Sequence, residues 1–295
     1  MLAVMVAWAA NFIVVKAANE QIPPVTFAFF RFGIAALTLL IAVRWREGSF
    51  GWPGRDAAAI IGLGALGFGV YQIMWSIALQ EIPAGDSALL IAATPVFTAL
   101  LAVVSGADIL TRGKLLGSLV SFAGVAVIVA SGPGLRLGSA LVGDLLTIAA
   151  AVCWSVYTAF GAPILRRHSA LRTTAWAMVG GSLMLAVPAL VQGAGVEWGT
   201  VHADAWAGLA FSAFIPAGVA NVLVFSAIRL LGPTRVTVYQ FLVPFIAVML
   251  GAMFLSEPIR AEQLIGGAII VLGLIVARSD RLTAFGGWLR ERAPG

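Results

Sequence analysis

Apolar runs of 16 to 24 residues alternate with short polar breaks along almost the whole chain. Between the breaks they are Leu2–Ala17, Val25–Val43, Ala57–Leu79, Ala84–Val104 and Leu115–Ala130, followed by Gly143–Leu165, Thr173–Val191, Ala205–Ile228, Pro233–Leu255 and Glu262–Ala277. About 20 apolar residues in helical form cross a hydrocarbon core about 30 Å thick. A helix also satisfies its own backbone there, which an open strand does not. The pattern predicts ten transmembrane helices.

Those ten runs fall into two sets of five. Displacing the sequence by 149 residues without a gap brings Gly69 onto Gly218, Pro95 onto Pro244, Gly117 onto Gly266 and Gly124 onto Gly273. The charges at that register do not repeat. Arg112 and Lys114 meet Ala261 and Gln263, while Gln80 and Asp86 meet Arg229 and Arg235. An odd number of spans per unit inserts the second copy upside down, so the basic residues must change ends to stay on one side. The expectation is an all-α membrane protein, ten transmembrane helices forming two inverted five-helix repeats around a central cavity. Residues 1–131 should form the first unit, 139–280 the second and 281–295 a tail, with Gly132, Pro133 and Gly134 at the joint.

Composition agrees with a lipid bilayer as the surrounding medium. Hydrophobic residues make up 61% of the chain and charged residues 11%, with a mean hydropathy of +1.01, whereas soluble domains carry about 25% charged residues. The net charge of +5 then marks topology and not nucleic acid. Fourteen of the 18 Lys and Arg residues lie in even-numbered connections or the tail. That bias places both termini in the cytoplasm. No basic region or cleavage site precedes Lys16, so the first span is expected to be retained. Cys153 has no cysteine to pair with and should be a small core residue. The connections are too short for an extramembrane domain, so function must sit among the helices.

All 13 acidic residues lie in loops or at span ends, and His168 and His202 lie in loops. With no midplane carboxylate or histidine, a carboxylate-based antiport mechanism is disfavoured. The spans hold no His-Glu-x-x-His or paired aspartates, and the chain holds no Gly-x-x-x-x-Gly-Lys-Ser/Thr phosphate loop. Neither an enzyme nor a direct ATP consumer is expected, and no metal or cofactor is implied.

The polar and aromatic groups that do reach mid-membrane fall at helical spacing. Trp8, Asn11 and Phe12 share a face of the first span, and Trp154, Tyr157 and Thr158 take the matching places on the sixth. The third span carries Tyr71, Gln72 and Trp75; the eighth carries Asn221, equivalent to Gln72, and Phe225; the ninth carries Tyr239 and Gln240. An amide, indole or phenol facing lipid leaves hydrogen-bonding capacity unmet, so these should point inward. Two readings stay open for the set, interhelical glue or the lining of a substrate site. Trp45, Trp52, Trp198, Trp206 and Trp288 lie near span ends or in loops and fit an interfacial belt, with Trp176 unassigned. Lys16, one turn before Glu20, is expected to pair with it. Arg31 lies deeper and either caps carbonyls of a neighbouring helix or contacts an anionic group of a substrate. Pro95, Pro216 and Pro244 interrupt spans as packing kinks or gating bends. The glycines of the fifth and tenth spans suggest close helix packing.

The opening Trp8-Ala9-Ala10-Asn11-Phe12, closed by Lys16, resembles the Trp-Gly-x-Asn-Phe…Lys start of the EamA family in the drug/metabolite transporter superfamily. Arg31-Phe32 resembles that family's second span. The Pro-containing fourth span and Gly-containing fifth of each unit fit it, and Leu255-Ser256-Glu257-Pro258 is similar to its acidic turn. Ala9 stands where Gly is usual, and Asp108 where the first unit often has Glu. Overall likeness is greatest to the family's YddG-type exporters of aromatic amino acids. The resemblance implies two inverted five-helix units around a cavity, exporting small metabolites by alternating access.

These readings converge on export of amino acids, aromatic and other neutral ones, by uniport. Trp8, Trp75, Trp154, Tyr71 and Tyr157 would offer stacking and cation–π surfaces, with Asn11, Gln72, Asn221 and Gln240 orienting the polar end. The alternative is a multidrug or cationic-drug exporter using the same cavity, which the lack of an embedded glutamate disfavours. Oligomeric state stays open.

Overall fold

A computed structural model describes residues 1–104, 112–131, 139–161, 163–231, 242–273 and 275–276. Among these every regular element is helical. The first unit begins with α1 (Leu2–Ala18) and α2 (Pro24–Glu47). Pro24 opens α2 where a missing N–H is not needed, and Gly48, at φ 74°, closes it in the left-handed region that glycine adopts freely. The third span is α3 (Ala57–Gly64), a π-helical stretch (Ala65–Val70) and α4 (Tyr71–Glu81). The fourth is α5 (Ala84–Ile91) and α6 (Thr94–Val104), and the fifth is α7 (Arg112–Ser131).

The second unit repeats the plan. It runs α8 (Ser139–Gly161), α9 (Ala170–Gly193), then α10 (Ala203–Ser212), a π-helical stretch (Ala213–Ala220) and α11 (Asn221–Leu231). α12 (Leu242–Phe254) and α13 (Ala261–Gly273) follow. Segments Pro24–Glu47, Gly54–Glu81, Leu141–Arg166, Ala170–Gly193 and Ala203–Ala227 are long and apolar enough to cross a membrane, and the remaining apolar helices are shorter. The chain is a multi-pass membrane protein of two inverted repeats.

Several details depart from the expected spans. The sixth ends at Gly161 and not Leu165, because Pro163 cannot continue the ladder and a 3-10 turn, Ile164–Arg166, takes over. The fourth is broken in two at Ala92 and Ala93, so Pro95 opens α6 and kinks no continuous helix. Pro216 lies inside a π-helical stretch, and Pro244 in the first turn described for α12. The joint at Gly132–Gly134, Trp288, Tyr239 and Gln240 lie outside the described residues.

The units interlock along α2 and α9, where Thr26 Oγ1 donates to the Ala189 carbonyl at 2.9 Å. Gly64 and Gly180 sit where a Cβ would overlap the carbonyls of Ala177 and Ile61. α7 meets α13 through the expected glycines. A Cβ on Gly124 would stand 2.6 Å from the Gly266 oxygen, and Ser121 Oγ donates to the Ile270 carbonyl at 3.1 Å. Leu37, Ile41, Val187, Leu190 and Met253 are exposed on the outer faces, as lipid-facing residues must be.

Candidate functional site

Both units leave the α pattern at the same repeat position. Under the 149-residue displacement Ala65–Val70 falls within Ala213–Ala220, and the residues that follow include Gln72 and its equivalent Asn221. π turns and prolines release carbonyls from the helical ladder, and side chains collect them. Trp8 Nε1 donates to the Pro216 carbonyl at 3.2 Å; Asn221 Nδ2 donates to the same oxygen at 2.9 Å and to that of Ala217 at 3.0 Å.

A cavity of about 120 Å³ lies where the two units meet. α1 supplies Trp8, Asn11 and Phe12, and α2 supplies Arg31 and Phe32. The third span supplies Phe68, Tyr71, Gln72 and Trp75 from the π stretch and the turn after it. Trp154 comes from α8, Asn221 from α11, and Val243 and Pro244 from α12, while the break in the fourth span contributes Ile91, Ala92 and Thr94. The rings brace one another. Tyr71 stacks on Trp75 at 6.1 Å, Phe12 meets Trp75 edge-on at 5.0 Å, and Trp154 lies 5.6 Å from Tyr71 and 5.7 Å from Phe68. Trp75 is also tied by its Nε1, which donates to Ser87 Oγ at 3.1 Å.

Not every inward candidate reaches this space. Tyr157 is buried behind the wall, 5.0 Å from Phe68 and 5.7 Å from Phe225, so it supports Trp154 and does not line the cavity. Thr158 turns its hydroxyl onto the Trp154 carbonyl of its own helix at 2.8 Å. Pro216 does not line the cavity, and its carbonyl accepts from Trp8 and Asn221. The three amides divide between the two readings. Asn11 Oδ1 accepts from Ser212 Oγ at 2.6 Å and so joins α1 to α10. Gln72 Nε2 donates to Ser76 Oγ at 2.8 Å and Asn221 bonds only within its own span. Gln72 Oε1 and Asn221 Oδ1 are buried without a partner, a situation that costs about 1–3 kcal/mol per group.

One cation corrects the sequence reading and a second narrows it. Lys16 does not pair with Glu20. Its Nζ meets Glu257 at 2.8 Å and donates to the Ile82 carbonyl at 2.9 Å, because tertiary packing brings the turn after α12 over the end of α1. Arg31 caps no carbonyl among the described residues. It is 7% exposed, lines the cavity, rests its guanidinium 4.6 Å from the Phe32 ring centre and leaves Nε and Nη1 without hydrogen-bond partners. Among the described lining residues it is the charged one, with no carboxylate opposite. No group of metal-ligating side chains assembles among the described residues.

The chain matches a known family model in both halves, at residues 1–130 and 141–279. The chain belongs to the EamA-like transporter family. It is 30% identical to an uncharacterized transporter of Archaeoglobus fulgidus over 94% of this chain and 95% of that one. It is 29% identical to a probable terminal-alkyne amino-acid exporter of Streptantibioticus cattleyicolor, covering 92% and 90%. A probable amino-acid metabolite efflux pump of Salmonella typhimurium is 27% identical, covering 93% and 92%. A protein crystal structure superposes with a TM-score of 0.67 over 93% of this chain and 94% of its own, at 20% identity, a likeness of fold. This EamA-like chain is therefore a membrane transporter of small molecules. Sequence reasoning missed Phe32, Phe68, Ile91, Thr94 and Val243 as cavity walls. Only Phe68 carried a local signal, standing between Gly67 and Gly69 where the helix changes pitch.

Proposed function

We propose that this transporter exports amino acids, aromatic and other neutral ones, across the bacterial inner membrane, with both termini in the cytoplasm. The cavity carries the reading. Seven aromatic side chains line it among the described residues, offering stacking and cation–π faces. Asn11, Gln72 and Asn221 supply polar contacts for the backbone end of the substrate, with Tyr157 bracing the wall. The relatives named as an amino-acid exporter and an amino-acid metabolite efflux pump support the same substrate class. Residues 1–131 and 139–280 act as units that rock about the cavity, which opens alternately to either side. The cationic-drug reading is weakened by Arg31, which repels cations from the cavity.

Transport proceeds as uniport. One observation favours a proton-coupled alternative: Asp144 on α8 is 5% exposed and interacts electrostatically with Asp86 and Arg260. Reconstitution in liposomes with radiolabelled phenylalanine, tryptophan and alanine, with and without a pH gradient, separates the two. Equal flux in both conditions fits uniport. Strict dependence on the gradient, abolished by Asp144→Asn, would establish coupling. No flux of any of the three from a folded protein would sink the amino-acid reading.

A further inference from the structure

We infer that the cavity contains a carboxylate subsite built on Arg31, and that it selects ring-bearing monocarboxylates whether or not they carry an amino group. The inference rests on the cavity being the transport site and narrows what that site accepts.

Arg31 is more than nine-tenths buried, lines the cavity and has two guanidinium nitrogens without partners. Lys16 and Arg260, by contrast, each meet a carboxylate, Glu257 and Asp86. A guanidinium stays charged in proteins, and burying it without a counter-charge is costly. A ligand carboxylate supplies both the charge and the acceptor oxygens, in charge-assisted hydrogen bonds about twice as strong as neutral ones. No carboxylate stands among the described lining residues. A bound monoanion therefore neutralises the cavity, and a bound cation meets like charge.

The unpartnered oxygens of Gln72 and Asn221 complete the logic. They can accept hydrogen bonds from an ammonium, a hydroxyl or water, but they carry no charge to demand a cation. An amino group thus adds hydrogen bonds without being required, while Tyr71 and Trp154, with centroids 5.6 Å apart, take the ring.

Isothermal titration of the purified full-length protein in detergent tests this with four ligands: L-phenylalanine, 3-phenylpropanoate, L-phenylalaninamide and phenethylamine. The two carboxylates should bind alike, and the amide and amine about tenfold or more weaker. Arg31→Gln should weaken carboxylate binding by about tenfold or more, and Arg31→Lys by less. Amide or amine binding as tight as that of the acids, or unchanged binding in Arg31→Gln, overturns the subsite and leaves the transport reading intact. The ligand series on the unmutated protein decides the matter even if Arg31→Gln fails to fold. Binding of none of the four overturns the subsite; phenylalanine flux in liposomes then shows whether the transport reading falls with it.

Discussion

Gln72 and Asn221 spend their amide N–H groups inside their own spans and leave their oxygens unmatched. A fold selected for stability alone would place methionine or leucine there. Gln72→Met keeps volume and removes the unpaired oxygen, so the melting temperature in detergent should hold or rise, by up to about 1 kcal/mol of stability. Phenylalanine flux should fall in the same protein. A large loss of stability with intact flux would make Gln72 structural. Trp154→Ala removes a ring that touches Tyr71 and Phe68, a contact worth about 0.5–1.5 kcal/mol beyond area burial. Flux below saturation should drop about three- to tenfold, with an unchanged size-exclusion profile; full flux would remove Trp154 from the site. Trp8, Asn11, Tyr71, Gln72, Trp75, Trp154 and Asn221 were legible as inward residues because lipid cannot satisfy their polar groups. Phe32 and Phe68 were not, since a phenylalanine is at home against acyl chains or in a cavity. The partner of Lys16 lies 241 residues away, beyond any local pattern.

The π-helical stretches are the elements that aim the site. Each inserts extra backbone into an otherwise α-helical span, so the residues that follow are turned relative to those before. Deleting Leu66 removes the extra residue, should close the stretch into a regular α-helix and takes away the wide turn that seats Phe68 at the cavity wall. The span keeps an apolar surface all round, so the protein should still insert and elute as a single folded species, while phenylalanine flux is lost. Normal flux in the deletion would show that the π geometry does not orient the cavity. The glycines and prolines that survive the 149-residue displacement revealed the repeat, because each marks a backbone event that both copies need. The π stretches themselves stayed hidden: in a uniformly apolar helix no periodic polar face exists to betray a change of pitch. The same silence concealed the break at Ala92 and Ala93, which Pro95 announced only as a kink.

At the scale of the whole molecule, ion pairs tie the two units together at both ends of the bundle. At one end Glu47 pairs with Arg172, and Asp56 with Arg167 and His168. At the other, Glu257 pairs with Lys16 and also accepts from the backbone N–H of Ala84 at 3.0 Å, while Arg260 pairs with Asp86. The proposed rocking requires one set to part while the other holds. Lys16 and Glu257 are 25% and 14% exposed, so the pair is partly screened and should contribute about 1 kcal/mol to the closed state at its end. That is roughly a fivefold bias in population, small enough for a substrate to overcome. In a Cys153→Ala background, Ala92→Cys places a thiol at the cavity wall, and an impermeant maleimide applied from the Glu257 side reports opening there. Glu257→Gln keeps an acceptor for the Ala84 N–H and removes the charge; Lys16→Met removes the other partner. Each alone should speed labelling about fivefold, and the two together no more than either one, since they break the same contact. Additive effects would mean that Lys16 and Glu257 act separately and that no latch joins the units at this end. Unchanged labelling in all three would place the moving contact at the Glu47 end.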